Sequence, residues 1–405
     1  MIRTFRYPLK PNRAQELVLE EQLHFCQQLY NAALQERRDA YCRQHKSISR
    51  YAQQKSLTIL RAEDEETRKI PVVVARSALH RVDEAYKGFF RRCKSGEKPG
   101  FPRFRSRDRY DSFSVHGTES RDVRVVGQHV HLPKIGPVRF KKYRPIVGEI
   151  LTVTVKRSSR GWYVSFVCDV GDAPEKVAVR PDRVTGIDLG LKVFATLSNG
   201  DGVPNPRFFR RSEEKLARRQ QALARKKRGS SSRRRAKVLV ARAYDHIKNQ
   251  RLDHARKTAK VLFDYYDLIA YEDLNIRGMV SSLDGRLAKS INDVAWSTFI
   301  RCLALKAESA GKHLIAVDPR GTTQRCSGCE TVVKKTLSDR EHRCTNPSCG
   351  LVLDRDHNAA INILALGHQS VVEAGTLVPV ESEASSEVRP HLYHIPVISV
   401  MQGEA

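Results

Sequence analysis

Residues 186–200, GIDLGLKVFATLSNG, predict two β-strands joined by a tight glycine turn. Asp188 is expected in the middle of the first strand, between Ile187 and Leu189, where a charged side chain has no structural reason to be. A carboxylate among apolar neighbours costs free energy unless a partner satisfies it. Asp188 is therefore a candidate functional residue, and its partners must come from elsewhere in the chain.

Two further acids lie at the ends of predicted elements. Glu272 closes the apolar run 268–271, and Asp356 opens a predicted helix. Carboxylates on neighbouring strand ends and on a facing helix can converge on divalent metals, and hard oxygen ligands select Mg²⁺ or Mn²⁺. Two such ions roughly 4 Å apart would support in-line phosphodiester cleavage. The alternative is structural, with Glu272 ending a strand and Asp356 capping a helix, and Asp273 and Asp354 compete locally with them.

Four cysteines form two short pairs. Cys326 and Cys329 are separated by two residues, Cys344 and Cys349 by four, and 14 residues lie between the pairs. Two such knuckles are typical of a zinc ribbon with four thiolate ligands. Spare reduced thiols or a redox pair are the alternatives, and neither explains two knuckles. The other five cysteines are isolated, which favours core or surface thiols.

The composition calls for a polyanionic partner. The 405 residues include 72 Lys and Arg against 45 Asp and Glu, a net charge of +27, and 40% are hydrophobic, enough for packed cores. Nucleic acid is the leading partner, because neutralising phosphates releases counterions. No apolar run has the roughly 18 to 20 residues of a membrane span, and residues 1–15 lack the apolar region of a secretory signal.

Two basic segments are candidate nucleic-acid contacts. Residues 207–260 contain 20 Lys and Arg against 4 Asp and Glu and predict a helical hairpin. The predicted turn is Gly229 to Ser232, and four consecutive cations, Arg225, Lys226, Lys227 and Arg228, come directly before it. The alternative is a solvated charged face, although charges this dense repel one another unless a polyanion neutralises them.

The second segment, GFPRFR at 100–105, sets Arg103 and Arg105 beside Phe101 and Phe104. Its aromatic rings can stack on bases while the arginines hold phosphates. A hydrophobic plug with its arginines reaching out to solvent is an equal alternative.

The remaining pattern gives a coarse secondary structure. We expect a strand at 2–7, helices after Asn12, over 51–66 and after Pro71, and β-structure over 123–170. Strands follow at 268–271 and 313–317, with a helix capped by Asp293 between them, and then a helix over 356–366.

Four stretches together resemble TnpB, the OrfB-type proteins of bacterial and archaeal insertion sequences, which are compact relatives of type V CRISPR effectors. They are GIDLG (186–190), YEDLNIRGM (271–279), VDPRGTTQRCSGC (317–329) and CGLVLDRDHNAAINI (349–363). The similarity is dense over 184–366, and AYKGFFR (85–91) and GFPRFR extend it upstream, so that it covers almost everything except the tail.

The resemblance implies a multidomain fold of α/β and α+β type. An RNase H-like (RuvC-type) nuclease core would occupy 181–325 and 350–370, include the basic hairpin, and carry an inserted zinc ribbon at 326–349. A wedge β-barrel would comprise 1–10 and 106–180, with a helical recognition domain inserted at 11–105. The acidic tail 371–405 has no clean period, and we expect it to be disordered.

The resemblance also assigns roles to residues. It implies Asp188, Glu272 and Asp356, rather than Asp354, as catalytic ligands of Mg²⁺ or Mn²⁺, and four cysteine ligands for Zn²⁺. Tyr51 and Arg76 lie on predicted helices that resemble the family's helices for recognising a short motif beside the DNA target.

The implied activity is RNA-guided cleavage of DNA. The partners would be a guide RNA transcribed from the element's end and double-stranded target DNA, bound by a monomer in the cytoplasm and nucleoid of a prokaryote, without membrane or small-molecule substrate. Base pairing with the guide would select the sequence, and the protein would recognise the flanking motif. Two other functions stay open: a transposase that performs strand transfer, and a DNA-binding regulator of transposition.

Overall fold

The computed structural model describes residues 1–116, 123–282, 285–336 and 338–373. From residue 374 onward, the tail expected to be disordered lies outside the described residues. The chain divides into two compact units, 1–172 and 173–405. No helix in the described ranges is both long and apolar enough to cross a membrane.

In its described residues, the first unit combines four helices with an antiparallel sheet. In chain order its elements are β1 (Ile2–Lys10), α1 (Arg13–Gln44), α2 (Arg50–Glu63), α3 (Glu65–Lys69), α4 (Val72–Lys94), β2 (Ser112–His116), β3 (Arg124–Val126), β4 (His129–Leu132), β5 (Gly136–Phe140), β6 (Glu149–Ser158) and β7 (Gly161–Asp169). The helix predicted over 51–66 is interrupted, because the carboxylate of Asp64 accepts the backbone N–H groups of Glu66 and Thr67 and starts a new helix there.

The seven strands are ordered β2-β6-β7-β1-β5-β4-β3. β1 pairs with β7 and β5 and so joins the two halves of the sheet. Tyr7 on β1 is fully buried against the rings of Phe140 and Phe166, which centres the core on this strand. The outer strands β2 and β3 are not hydrogen-bonded to each other in the described part, so closure of this sheet into a barrel stays a prediction.

The second unit surrounds a mixed sheet. Its elements are β8 (Val184–Asp188), β9 (Val193–Leu197), β10 (Gly202–Pro204), α5 (Phe208–Ala224), α6 (Ser231–Tyr265), β11 (Leu268–Glu272), α7 (Ile276–Ser282), α8 (Gly285–Val294), α9 (Trp296–Ala310), β12 (His313–Val317), β13 (Glu341–Arg343), β14 (Val352–Asp354) and α10 (Arg355–Glu373). The sheet order is β10-β9-β8-β11-β12. β11 runs parallel to both β8 and β12, whereas β9 is antiparallel to β8 and to β10.

Two glycines bring α10 close to this sheet. A Cβ on Gly186 of β8 would lie 2.1 Å from the carbonyl oxygen of Ala360, and a Cβ on Gly367 of α10 would lie 2.4 Å from the Cβ of Ala270 on β11. Only glycine permits such close contacts between helix and strand backbones. The helix is therefore held directly over the strands that end in Asp188 and Glu272.

Asp293 caps a different helix from the one expected. It lies within α8, and its carboxylate accepts the backbone N–H groups of Phe209 and Arg210 at the start of α5, 2.9 and 3.4 Å away. Arg251 of α6 pairs with the same carboxylate at 2.8 Å. The prediction that Asp293 caps the following helix was wrong, because Ala295 precedes α9 and tertiary packing carries Asp293 to a helix start 84 residues away.

Candidate active site and cysteine cluster

Asp188 and Glu272 are the last residues of two adjacent parallel strands, so the prediction that Asp188 lies in the middle of its strand was wrong. Ile187 pairs with Tyr271, so the two acids follow at the same level and at the same edge of the sheet. Side chains alternate along a strand, and Asp188 therefore shares the face of Gly186, the face that α10 covers. Both carboxylates are buried, with 8% and 6% of the residue exposed.

Asp356 reaches the same edge from α10. A Cβ built on Gly190, two residues after Asp188, would lie 3.9 Å from Oδ2 of Asp356. The ring of the next residue, His357, hydrogen-bonds through Nε2 with the carbonyl oxygen of Ser198 at 3.1 Å, which anchors the first turn of α10 beyond β9. The structure thus brings together the three acids that the sequence singled out.

The charges of these acids act on one another. Burial, together with the negative charges of Glu272 and Asp356, raises the pKa of Asp188 to about 8, while Arg355 opposes the increase. Burial also raises the pKa of Glu272, and a hydrogen bond from Thr322 lowers it. Crowded carboxylates with raised pKa values are typical of a site that a cation completes.

The donor set fits a hard divalent cation, since all three side chains offer carboxylate oxygens. The oxygens of the three carboxylates do not all lie within 4.8 Å of one another. Among the described residues, the four cysteines form the one group of three or more candidate ligand atoms that all lie within 4.8 Å of one another.

The local competitors of the acids have other roles. Asp354 accepts the backbone N–H groups of Asp356 and His357 at 2.9 and 3.2 Å and so caps α10. Asp273 is exposed, and its charge adds to the effect of burial in raising the pKa of Tyr271, which alternates with Glu272 along the strand. The capping role considered for Asp356 thus belongs to Asp354, whereas Glu272 does end its strand.

The four cysteines of the two pairs come together between β12 and α10. The Sγ atoms of Cys326 and Cys349 lie 3.8 Å apart, and those of Cys329 and Cys344 lie 3.4 Å apart. None of the four forms a disulfide with a cysteine of the described residues. Zn–S bonds of about 2.3 Å in a tetrahedron place sulfurs roughly 3.8 Å apart, so the cluster has the size and ligand type that zinc requires.

The two recognition residues expected in the first unit lie on separate helices. Tyr51 is exposed on α2 and lines a groove of about 1070 Å³, together with the rings of Tyr41, Tyr86, Phe90 and Phe101 among others. Arg76 lies half-buried on α4 and is not among the residues that line this groove.

The segment at 100–105 is partly structural. Phe101 packs edge-on against Phe89, with ring centroids 5.4 Å apart, and is 47% exposed. The guanidinium of Arg105 lies over the ring of Tyr30, and its backbone is hydrogen-bonded to Asn31. Arg103 and the ring of Phe104 are also exposed, so one cation and parts of two rings remain accessible.

All four cations of the hairpin turn are exposed. Arg225, Lys226, Lys227 and Arg228 follow directly after α5, and Arg233 ties the turn together by donating to the carbonyl oxygens of Leu223 and Lys226 at 2.9 Å each. The basic hairpin predicted over 207–260 is confirmed as α5 and α6.

Sequence reasoning missed three polar residues around the site. Thr322 contacts Glu272, and Asn358 and Asn362 of α10 contact the backbone that leads into the cysteine cluster. The two asparagines are four residues apart and share a helix face, which is a signal that could have found them. No comparable pattern in the sequence points to Thr322.

The comparisons with known proteins agree with this arrangement. A family model described as "Probable transposase" (OrfB of IS605) matches residues 165–283, and one described as "Cas12f1-like, TNB domain" matches 296–363, which includes the cysteine cluster. A third, described as a helix-turn-helix domain, matches 1–46, which this chain folds as one strand and a single long helix.

The fold is that of compact type V CRISPR effectors. It matches Cas12f1 in a cryo-EM complex with sgRNA and target DNA at a TM-score of 0.55 and 14% identity, over 87% of this chain and 83% of that one. It also matches the mini-RNA-guided endonuclease CRISPR-Cas_phi3 at a TM-score of 0.50 and 9% identity, over 91% and 92% of the two chains.

The sequences of two relatives show to which family within this class the chain belongs. A Streptomyces pristinaespiralis protein named "Putative RNA-guided DNA endonuclease" is 31% identical over 377 residues, 90% of this chain and 89% of that one. An Escherichia coli K12 protein, "Putative RNA-guided DNA endonuclease InsQ", is 28% identical over 93% and 95% of the two chains. The chain belongs to the OrfB (TnpB-type) family of insertion-sequence proteins.

Proposed function

We propose that this protein is a transposon-encoded, RNA-guided DNA endonuclease that depends on divalent metal. The observation that carries the proposal is the convergence of Asp188, Glu272 and Asp356 from β8, β11 and α10 at one edge of the sheet. Family membership and the names of the relatives support the guide and the DNA target. The strand order, with β11 and β12 parallel to β8, supports an RNase H-like (RuvC-type) core.

The three carboxylates would hold two Mg²⁺ or Mn²⁺ ions, and Asp188 would have to lose its proton to do so. When bound, such ions polarise a phosphodiester and lower the pKa of an attacking water. Arg355 pairs with Oδ1 of Asp356 at 3.0 Å and fixes the orientation of that carboxylate. Burial of Asp188 and Glu272 keeps bulk water away from their charges, which strengthens their attraction for a cation.

The cysteine cluster would hold one structural Zn²⁺ ion. Four thiolates complete a tetrahedron and leave no position open for substrate, so the ion would stabilise the insert rather than take part in cleavage. Elsewhere, we propose that the exposed hairpin turn holds nucleic-acid phosphates. Tyr51 and Arg76 would contact the motif beside the target, and Phe101, Arg103 and Arg105 the nucleic-acid backbone or bases.

The domain roles follow from the same proposal. The sheet at 1–10 and 106–180 would be the wedge domain, the helices at 11–105 the recognition domain, and 181–325 with 350–370 the nuclease core around the ribbon at 326–349. The contact boundary between the two units falls at 172/173, a few residues before the proposed start of the nuclease core.

Strand transfer is the second candidate, and the family description "Probable transposase" favours it. It would use the same acids, but a 3′-hydroxyl of DNA would replace water as the nucleophile. A transesterification assay with labelled ends separates the two reactions, because strand transfer joins two DNA molecules and hydrolysis does not.

The decisive experiment begins with the RNA that co-purifies with the protein. Sequencing should find an RNA with a constant 5′ portion and a variable 3′ guide. The complex should then cut DNA matched to that guide, in the presence of Mg²⁺, whereas the Asp188→Ala complex should bind the same DNA and leave it intact. Cutting by Asp188→Ala at the wild-type rate would refute the proposed site, and the absence of any bound RNA would refute the guided mechanism.

A further inference from the structure

Thr322 links the candidate active site to the segment that enters the cysteine cluster. Its hydroxyl oxygen lies 2.5 Å from Oε1 of Glu272, 50 residues away in sequence, and the residue is only 3% exposed. The same hydroxyl lies 3.1 Å from the carbonyl oxygen of Pro319. One hydroxyl proton serves one acceptor at a time, and an ionised carboxylate is the stronger acceptor.

The backbone around Thr322 is fixed by two asparagines of α10. Asn362 donates to the carbonyl oxygens of Thr322 and Arg325 at 2.8 and 2.7 Å. Asn358 donates to Arg325 at 2.9 Å and accepts the backbone N–H of Ser327 at 3.0 Å. Ser327 follows the candidate zinc ligand Cys326, so one hydrogen-bonded network joins the cysteine cluster, α10 and Glu272.

The hydrogen bond from Thr322 to Glu272 is not needed merely to satisfy the buried hydroxyl of Thr322. Pro319 alone would satisfy the threonine hydroxyl, and an aliphatic side chain would remove the need for a partner. The glutamate, by contrast, has three rotatable side-chain bonds and is flexible unless something holds it. Carboxylates that ligate metals are themselves commonly hydrogen-bonded by neighbours that set their orientation.

We propose that Thr322 is a positioning residue, which holds the carboxylate of Glu272 in the orientation that binds metal, and that the cysteine cluster fixes Thr322 through Asn358 and Asn362. This inference rests on the proposed metal-dependent cleavage. The zinc ribbon would then serve the active site as a rigid support as well as stabilising its own fold.

The test compares Thr322→Val, which removes the hydroxyl and keeps the shape, with Thr322→Ser, which keeps the hydroxyl. Single-turnover cleavage, target binding, zinc content and Mn²⁺ affinity by calorimetry are measured on the RNA-bound full-length protein. Thr322→Val should cleave DNA about 10- to 100-fold more slowly and bind Mn²⁺ about 10- to 100-fold more weakly. Changes of this size are expected when a metal ligand loses the side chain that hydrogen-bonds to it. Target binding and zinc content should be unchanged, and Thr322→Ser should stay within about 3-fold of wild type.

Thr323→Val is the matched control, since it makes the same change at the neighbouring threonine. Wild-type cleavage and Mn²⁺ affinity in Thr322→Val would overturn the inference, as would equal damage by Thr322→Ser. If Thr322→Val loses zinc, the same results are expected of Thr322→Ala.

In a Glu272→Gln background, Thr322→Val should not weaken Mn²⁺ binding further. Failure of the wild type to cut DNA would refute the proposed function instead, and Mn²⁺ affinity would still decide the role of Thr322.

Discussion

The carboxylate of Asp354 accepts the backbone N–H of Asp356 at 2.9 Å, so one acid caps the helix from which the other projects. The two residues have nearly the same sequence surroundings but different surroundings in the fold. Asp354 satisfies the first turn of α10, while Asp356 lies beside Gly190, and the charge of Asp356 raises the pKa of Asp188 more than that of Asp354 does. This division makes the pair a natural test of which acid belongs to the site.

Asp356→Ala should abolish cleavage of matched DNA, because one of three metal-binding carboxylates is lost. Asp354→Ala should keep most of the activity and lower the free energy of unfolding by about 1 kcal/mol, the usual effect of losing a helix cap. Cleavage rate and denaturant unfolding measure the two effects. Asp354→Ser, which restores a capping side chain, should recover the stability. Loss of cleavage in Asp354→Ala, with normal cleavage in Asp356→Ala, would exchange the two assignments.

Asp188→Asn should make the metal-free protein more stable, and increasingly so as the pH rises. The pKa of Asp188 is about 8 in the fold and close to 3.8 when unfolded, so the unfolded chain releases this proton first. The wild type therefore loses stability between about pH 4 and pH 8. At pH 8 the variant should gain at least about 1 kcal/mol, or roughly 2–4 °C in Tm.

Exposed Asp273→Asn serves as the control for Asp188→Asn, and we expect it to leave Tm unchanged at both pH values. Added Mg²⁺ should stabilise the wild type and not Asp188→Asn. An equal gain at pH 5 and pH 8 would show that the charge of Asp188 is not the cause.

Cys326→Ser should lower zinc content from one ion per chain and lower Tm. Cys326 is fully buried within the cluster, and structural zinc contributes its binding free energy to folding. Elemental analysis and thermal unfolding follow the two quantities. Cys42→Ser, at an exposed cysteine outside the cluster, should change neither. Full zinc content in a Cys326/Cys344 double variant would contradict the four-thiolate site.

Alanine at Arg225, Lys226, Lys227 and Arg228 should weaken nucleic-acid binding and reduce its salt dependence. Each phosphate contact contributes about 0.9 to the slope of log K against log salt for duplex DNA, so loss of four contacts should reduce the slope by up to about 3 to 4. The slope is obtained from binding titrations at several salt concentrations. Arg225→Lys with Arg228→Lys keeps the charge and should keep the slope. An unaltered slope in the alanine variant would mean that the turn is only a solvated surface.

Gly186→Ala should destabilise the second unit and slow cleavage. The new Cβ would lie 2.1 Å from the carbonyl oxygen of Ala360 and 2.5 Å from the backbone nitrogen of Leu364, so α10 must move, and Asp356 with it. Overpacking of this kind costs about 1–3 kcal/mol. Gly285→Ala is the control, because beyond its chain neighbours and its own helix no atom of the described residues lies within 4 Å of its Cβ, and α8 gains a better helix former. Equal Tm values for both variants would show that α10 tolerates the displacement.

Local patterns in the sequence were enough for most of the elements. The alternation over 151–170 predicted the hairpin of β6 and β7, and the basic periodicity over 207–260 predicted α5 and α6. The cysteine pairs predicted a cluster because each knuckle is formed by residues close in sequence. Candidate acids could be chosen for a similar reason, since an acid between apolar residues, or one that closes an apolar run, is visible from its neighbours alone.

The sequence by itself determined the strands, the basic hairpin, the paired cysteines and the short set of acids from which the site is drawn. Only the tertiary structure decided that Asp354 caps α10 while Asp356 faces Asp188, that Asp293 caps α5, and that Thr322 holds Glu272. The physical reason is the separation in sequence between the residues that interact. Strand alternation and helix periodicity depend on residues a few positions apart, whereas these hydrogen bonds join residues 50 and 84 positions apart, or depend on which side of a helix faces the sheet.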